Sequence, residues 1–109
     1  MRIRSAKTIG TINNGIAMRQ EFQAASVSGQ YLIYTPSHTW MSAEERARLA
    51  HDIAMSPTGK VFAVFSYGTP IAWTLPDGSW SVTDKKYSAS TTHHTSLVHS
   101  AVALASSSN

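Results

Sequence analysis

The sequence predicts an α+β fold: a small, mainly antiparallel sheet of about five strands with two helices packed on one face of it. Three observations carry this expectation. "SAEERARLAHDIAMS" (42–56) has the spacing and the start signal of a helix. "YLIYT" (31–35), "KVFAVFSY" (60–67) and "TPIAWTL" (69–75) are runs of apolar, β-branched and aromatic residues. "SWSVT" (79–83) alternates directly after a Pro76-Asp77-Gly78 turn, so it reads as the return strand of a hairpin.

Taken in order, the chain opens ambiguously. "RIRSAKTIGTI" alternates in places, and Asn14-Gly15 is a strong hairpin signal. A strand near 8–12, the Asn14-Gly15 turn and a second strand through 16–27 are therefore expected, with Ile16, Met18 and Phe22 on one side. Gly29 breaks the chain before the strand at 31–35. Ser42 can cap the following helix, and Glu45 three residues later completes a capping box. Glu44 and Glu45 in the first turn suit the helix dipole. Ala43, Ala47, Leu49, Ala50, Ile53 and Ala54 form an apolar stripe, and Pro57 and Gly59 end the segment.

The near-continuous apolar character of 60–67 predicts a central, buried strand. Pro70 prevents an uninterrupted ladder with the segment after Gly68, which predicts a bulge or bend there. In the return strand Trp80 and Val82 share a face. A Ser/Thr/His-rich stretch, 88–95, leads into "SLVHSAVALA" (96–105), where Leu97, Ala101 and Leu104, flanked by Val98 and Val102, have helical spacing. A C-terminal helix starting near Thr91 or Thr92 is expected, with a frayed tail over 105–109.

At 109 residues the chain has room for one domain and one modest core. The apolar share is 42%, which argues against wholesale disorder. Its formal charge is +3, from nine basic and six acidic residues, and the basic residues are scattered. Arg2, Arg4 and Lys7 lie early, Arg46 and Arg48 mid-chain, and Lys85 and Lys86 late. A dedicated nucleic-acid binder concentrates such charge on one face. The chain has no cysteine, which excludes disulfides and thiolate metal sites and fits a cytoplasmic protein. No apolar run approaches the ~18 residues of a membrane span, and the basic N-terminus lacks the apolar segment of a signal peptide.

Candidate chemistry concentrates in 66–94. His93, His94 and His99 lack the i,i+4 spacing that lets a helix chelate, so no metal site and no cofactor are expected. A minimal hydrolase centred on His94 would need an orienting carboxylate, and Asp84 alone is near in sequence. Polar side chains here have a simpler use, in capping the last helix and satisfying loop backbone. Tyr67, Trp73, Trp80 and Tyr87, with Lys85 and Lys86, could stack on bases if exposed on one sheet face; packing of these aromatics in the core is the stronger expectation. Tyr31, Tyr34, His38, Trp40 and Met41 straddle the loop before the first predicted helix and could anchor a protein partner. Trp40 could equally be a hydrophobic staple for the Ser42 cap. Edge strands could also pair two copies of the chain.

"SYGTPIAW", then Trp80, then "KYSASTTHH" resembles a pattern in small proteins of actinobacteria and their phages. Ser66, Tyr67, Thr69, Pro70, Ile71, Ala72, Trp73, Trp80, Lys86, Tyr87, Ser88, Thr91 and His94 match it. Ser90 and Thr95 depart from it, standing where the pattern has Thr and Gln. The resemblance spans under a third of the chain. It implies a phage or mobile-element origin and no particular reaction. The combined expectation is a non-enzymatic accessory protein that binds a host protein or itself, with nucleic-acid binding through scattered Lys/Arg and sheet aromatics as the alternative. The candidate binding residues are Trp40, Tyr67, Trp73, Trp80, Lys85, Lys86, Tyr87 and His94.

Overall fold

The computed structural model describes residues 6–36, 41–83 and 89–107. Its elements run α1 (Ala6–Met18), β1 (Phe22–Ala24), β2 (Val27–Leu32), α2 (Ala43–Met55), β3 (Val61–Ser66), β4 (Thr69–Thr74), β5 (Trp80–Val82) and α3 (Ala89–Ser107). The five strands form one antiparallel sheet in sequence order, β1-β2-β3-β4-β5.

Every residue of β3 and of β4 is buried. That two-sided burial decides the layers. Phe62 and Val64 join Ile12 and Ile16 of α1 and Val98 and Ala101 of α3 in one cluster. Val61, Ala63, Phe65 and Trp73 join Leu49 and Ile53 of α2 in another. Helices thus cover both faces, two on one and one on the other, where two helices on a single face were expected.

The third helix is α1, which replaces the predicted hairpin. Asn13, Asn14 and Gly15 read locally as a turn. However, Ile9, Ile12 and Ile16 recur at helical pitch and pack on the sheet, and tertiary burial overrides weak propensity. The helix ends at Arg19, which takes a left-handed conformation (φ 50°), and Gln20 N–H closes the end on Gly15 C=O at 3.0 Å. Tyr31 Oη–H donates to Arg19 C=O at 2.8 Å, and the Arg19 guanidinium donates to Gly78 C=O and lies over Trp80. The strained residue is held from three elements.

Other expectations hold with shifted bounds. Ser42 Oγ accepts the Glu45 N–H at 3.1 Å, as an N-cap should. The ladder between β3 and β4 shifts register between Val64 and Phe65, the irregularity predicted beside Pro70. Trp80 and Val82 both pack toward the α1/α3 cluster. α3 continues helical through Ser107, past the point where fraying was expected, and Leu104 is exposed, not part of the buried stripe.

Phe22 explains two glycines. A Cβ at Gly15 would overlap its ring, and a Cβ at Gly29, its cross-strand partner, would overlap Phe22 and sit 2.8 Å from Phe62. Gly10, in the same helix, has open space around it. Gly10→Ala should therefore stabilise the protein by about 0.5–1 kcal/mol through helix propensity. Gly15→Ala should destabilise by about 1–3 kcal/mol from overpacking, partly offset by the same propensity gain. Urea unfolding of the two variants checks the opposite signs.

Candidate functional site

Among the described residues, buried side-chain hydrogen bonds join a helix to the sheet at three places. Ser66, at the end of β3, and His94, in α3, share a 2.7 Å hydrogen bond between Oγ and Nδ1. Trp73 Nε1–H in β4 donates to Asp52 Oδ2 in α2 at 2.8 Å. Thr83 Oγ1–H, just past β5, donates to Glu45 Oε2 in α2 at 2.6 Å. Burying a carboxylate is costly unless donors meet it, so Asp52 and Glu45 fix which side of α2 faces the sheet.

The Ser66–His94 pair brings together the two halves of the 66–94 stretch. Tyr67 and Gly68 make a two-residue turn with positive φ at both positions (51° and 82°), the geometry that matches hairpin twist. Their turn places Tyr67 beside α3, its ring 5.5 Å from His94. Ser66 and His94 are respectively 1% and 0% exposed. The pair is closed off from solvent and ties the hairpin to α3. His94 Nε2 is buried without a hydrogen-bond partner. A neutral ring leaves one unmet lone pair or N–H there, whereas an imidazolium would bury an unmet charged N–H. Burial, with His93 beside it as a lesser cause, accordingly pushes the His94 pKa below its ordinary value.

Several sequence-predicted site residues move under this geometry. Trp73 is core, packed on the α2 side, and His94 is interior, so neither is a surface binding residue. Trp80 faces the opposite side of the sheet, half-buried and edge-on to Phe62. Of the three that the structure describes, Tyr67, Trp73 and Trp80, Tyr67 is the one that is well exposed. These three do not form a single platform, because adjacent strand positions and the turn send their rings in different directions. Trp40, Lys85, Lys86 and Tyr87 lie outside the described residues. Among the described residues, no group of three His, Asp or Glu side chains could hold a metal ion, and no helix is long and apolar enough to cross a membrane.

The surface that sequence reasoning missed lies along α2. The stripe read as one apolar face divides: Leu49 and Ile53 turn inward, while Ala43, Ala47, Ala50 and Ala54 are exposed. Beside them stand Ile33 and Tyr34, 68% and 69% exposed. Two adjoining clefts of about 440 and 540 Å³ run between the 33–35 segment and α2 and share Thr35 and Ala50. The first is lined further by Ile53 and Ala54, the second by Ala43, Arg46 and Ala47. Tyr34 was legible as a candidate anchor from the aromatic run; the alanines were not, because alanine is as common inside as out.

This geometry defines a class: a meandering antiparallel sheet clasped by helices on both faces, with buried polar pairs joining helix to sheet and an open apolar surface along one helix. The chain belongs to the DUF8033 family, a family of unknown function, matched over residues 11–107. No curated protein and no solved structure matches the chain.

The lowered His94 pKa carries a pH dependence. The unfolded chain takes up this proton near pH 6.5, while the native state resists it to lower pH. The unfolded state then binds more protons, so stability falls as pH drops below about 6.5. Thermal melts from pH 7.5 to 5 should show a falling midpoint, and His94→Gln should flatten that fall while lowering the midpoint at pH 7.5. An unchanged slope in the variant would assign the dependence elsewhere.

Proposed function

We propose that the protein is a small, non-enzymatic binding factor that engages a protein partner through the groove between α2 and the 33–35 segment. One observation carries this reading: Ile33 and Tyr34 stand exposed beside four outward alanines of α2, so large apolar side chains border a floor of small ones. Single exposed apolar residues need no explanation, but a contiguous patch with a concave floor fits the way an amphipathic segment lies in a groove. The interior position of Ser66 and His94 supports the non-enzymatic part of the reading. The phage or mobile-element resemblance supports an accessory role, with a host protein or a second copy as candidate partner.

A second reading has its own observation. At one end of the sheet Lys60 Nζ lies 4.6 Å from the Tyr31 ring centre, and the Arg19 guanidinium carbon 6.0 Å from that of Trp80. Tyr31 and Trp80 flank Phe62 edge-on. Cations paired with half-exposed rings support single-stranded nucleic-acid binding. Such binding would weaken steeply with salt, as phosphate contacts release counterions.

Affinity purification of the tagged chain from a host lysate, with nuclease treatment, separates the two. Ala50→Arg and Ile33→Asp change exposed positions and should shift the melting midpoint little, by about 0.5 kcal/mol or less in stability. Both should abolish recovery of a nuclease-resistant protein partner. Recovery unaffected by either variant contradicts the groove as the binding surface, and recovery of nucleic acid alone favours the second reading.

A further inference from the structure

Resting on the binding role proposed above, the groove's chemistry narrows its partner. Its described lining is apolar apart from Thr35 and one charged side chain, Arg46. Arg46 Nε is buried and meets no hydrogen-bond acceptor. Two of the three carboxylates in α2, Glu45 and Asp52, are turned to the sheet and accept from Thr83 and Trp73. Glu44 is exposed, but two residues along a helix places it about 200° around the axis from Arg46, near Arg48 at i+4. The groove therefore combines apolar walls with a guanidinium that no described carboxylate neutralises. Guanidinium groups bind carboxylates in paired, planar hydrogen bonds, and these strengthen where water is excluded.

We propose that the α2 groove accepts an acidic amphipathic segment of another protein, with apolar side chains over Ala47, Ala50 and Ala54 between Ile33 and Tyr34 and a carboxylate on Arg46. A second copy of this chain is the poorer occupant. Reversing the alanine stripe onto itself about a twofold axis sets Arg46 opposite His51, and no carboxylate meets either. A nucleic acid is poorer still, since phosphates would face one cation among apolar walls.

A random-peptide display library panned against the full chain tests this. Enriched peptides should carry Asp or Glu three or four positions from an apolar residue. Ala50→Arg should abolish their binding. Arg46→Gln should weaken the consensus peptide roughly tenfold or more, the loss expected for a charged hydrogen-bonded pair. Changing the peptide's acid to its amide should cost the same, with little further loss when both changes are combined. Melting curves establish that each variant is folded. Enriched peptides that need the groove but lack an acid, and that ignore Arg46→Gln, would overturn the acidic partner while leaving the groove's binding role standing. Failure to enrich any peptide sensitive to Ala50→Arg would overturn both. Concentration-dependent dimerisation of the native chain that Ala50→Arg abolishes would assign the face to a second copy and overturn the inference.

Discussion

The β3–β4 hairpin is apolar on both faces, and the rest of the structure follows from covering it. The twelve residues of its two strands are all buried. One helix layer could shield only half of that surface, and fully burying a large apolar side chain is worth about 1.5–3 kcal/mol. Phe62, Val64 and Ile71 demand α1 and α3 on one side; Phe65, Val61 and Trp73 demand α2 on the other. The short outer strands β1 and β5 extend the sheet and carry the links to those helices.

Burial alone does not orient a helix, because an alanine-rich surface offers several nearly equivalent ways to pack. The buried polar pairs remove that freedom. Asp52 must find Trp73, and Glu45 must find Thr83. A net contribution of about 1.5–3 kcal/mol per charged hydrogen bond is comparable to one apolar side chain, but the cost of leaving either carboxylate unmet penalises every other rotation of α2. With Leu49, Ile53, Glu45 and Asp52 committed inward, Ala43, Ala47, Ala50 and Ala54 have to face outward. The open groove is thus a consequence of how α2 is fixed. On the other face, Ser66 and His94 tie the hairpin tip to α3 in the same manner.

Much of this was legible in the sequence, for identifiable reasons. The Ser42 cap, the buried central strands and the Trp80/Val82 alternation are local signals, and local signals survive folding. α1 was not legible, because Asn13, Asn14 and Gly15 advertise a turn and the forces that make them helical come from β1, β3 and α3. Phe22 lying against Gly15 is one such force. The site was harder. Ser66 and His94 are 28 positions apart, and Glu45 and Thr83 38, so no spacing rule joins them. The amphipathic pattern of α2 named the right residues but could not say that its small and large apolar members point in different directions. The aromatic run marks Tyr34 as a candidate anchor, while Ile33 reads as an ordinary strand residue.

α2 docks through its carboxylate side and leaves its alanine side open. Thiol labelling tests it directly, because the native chain contains no cysteine. Single cysteines at Ala50 and at Ala101, which is 1% exposed in the α1/α3 cluster, would be labelled under native conditions. The thiol at position 50 should react at the rate of a free exposed thiol at any protein concentration, while the one at position 101 should react only through unfolding. Protection at position 50 as strong as at 101 would contradict it, showing α2 docked in another orientation.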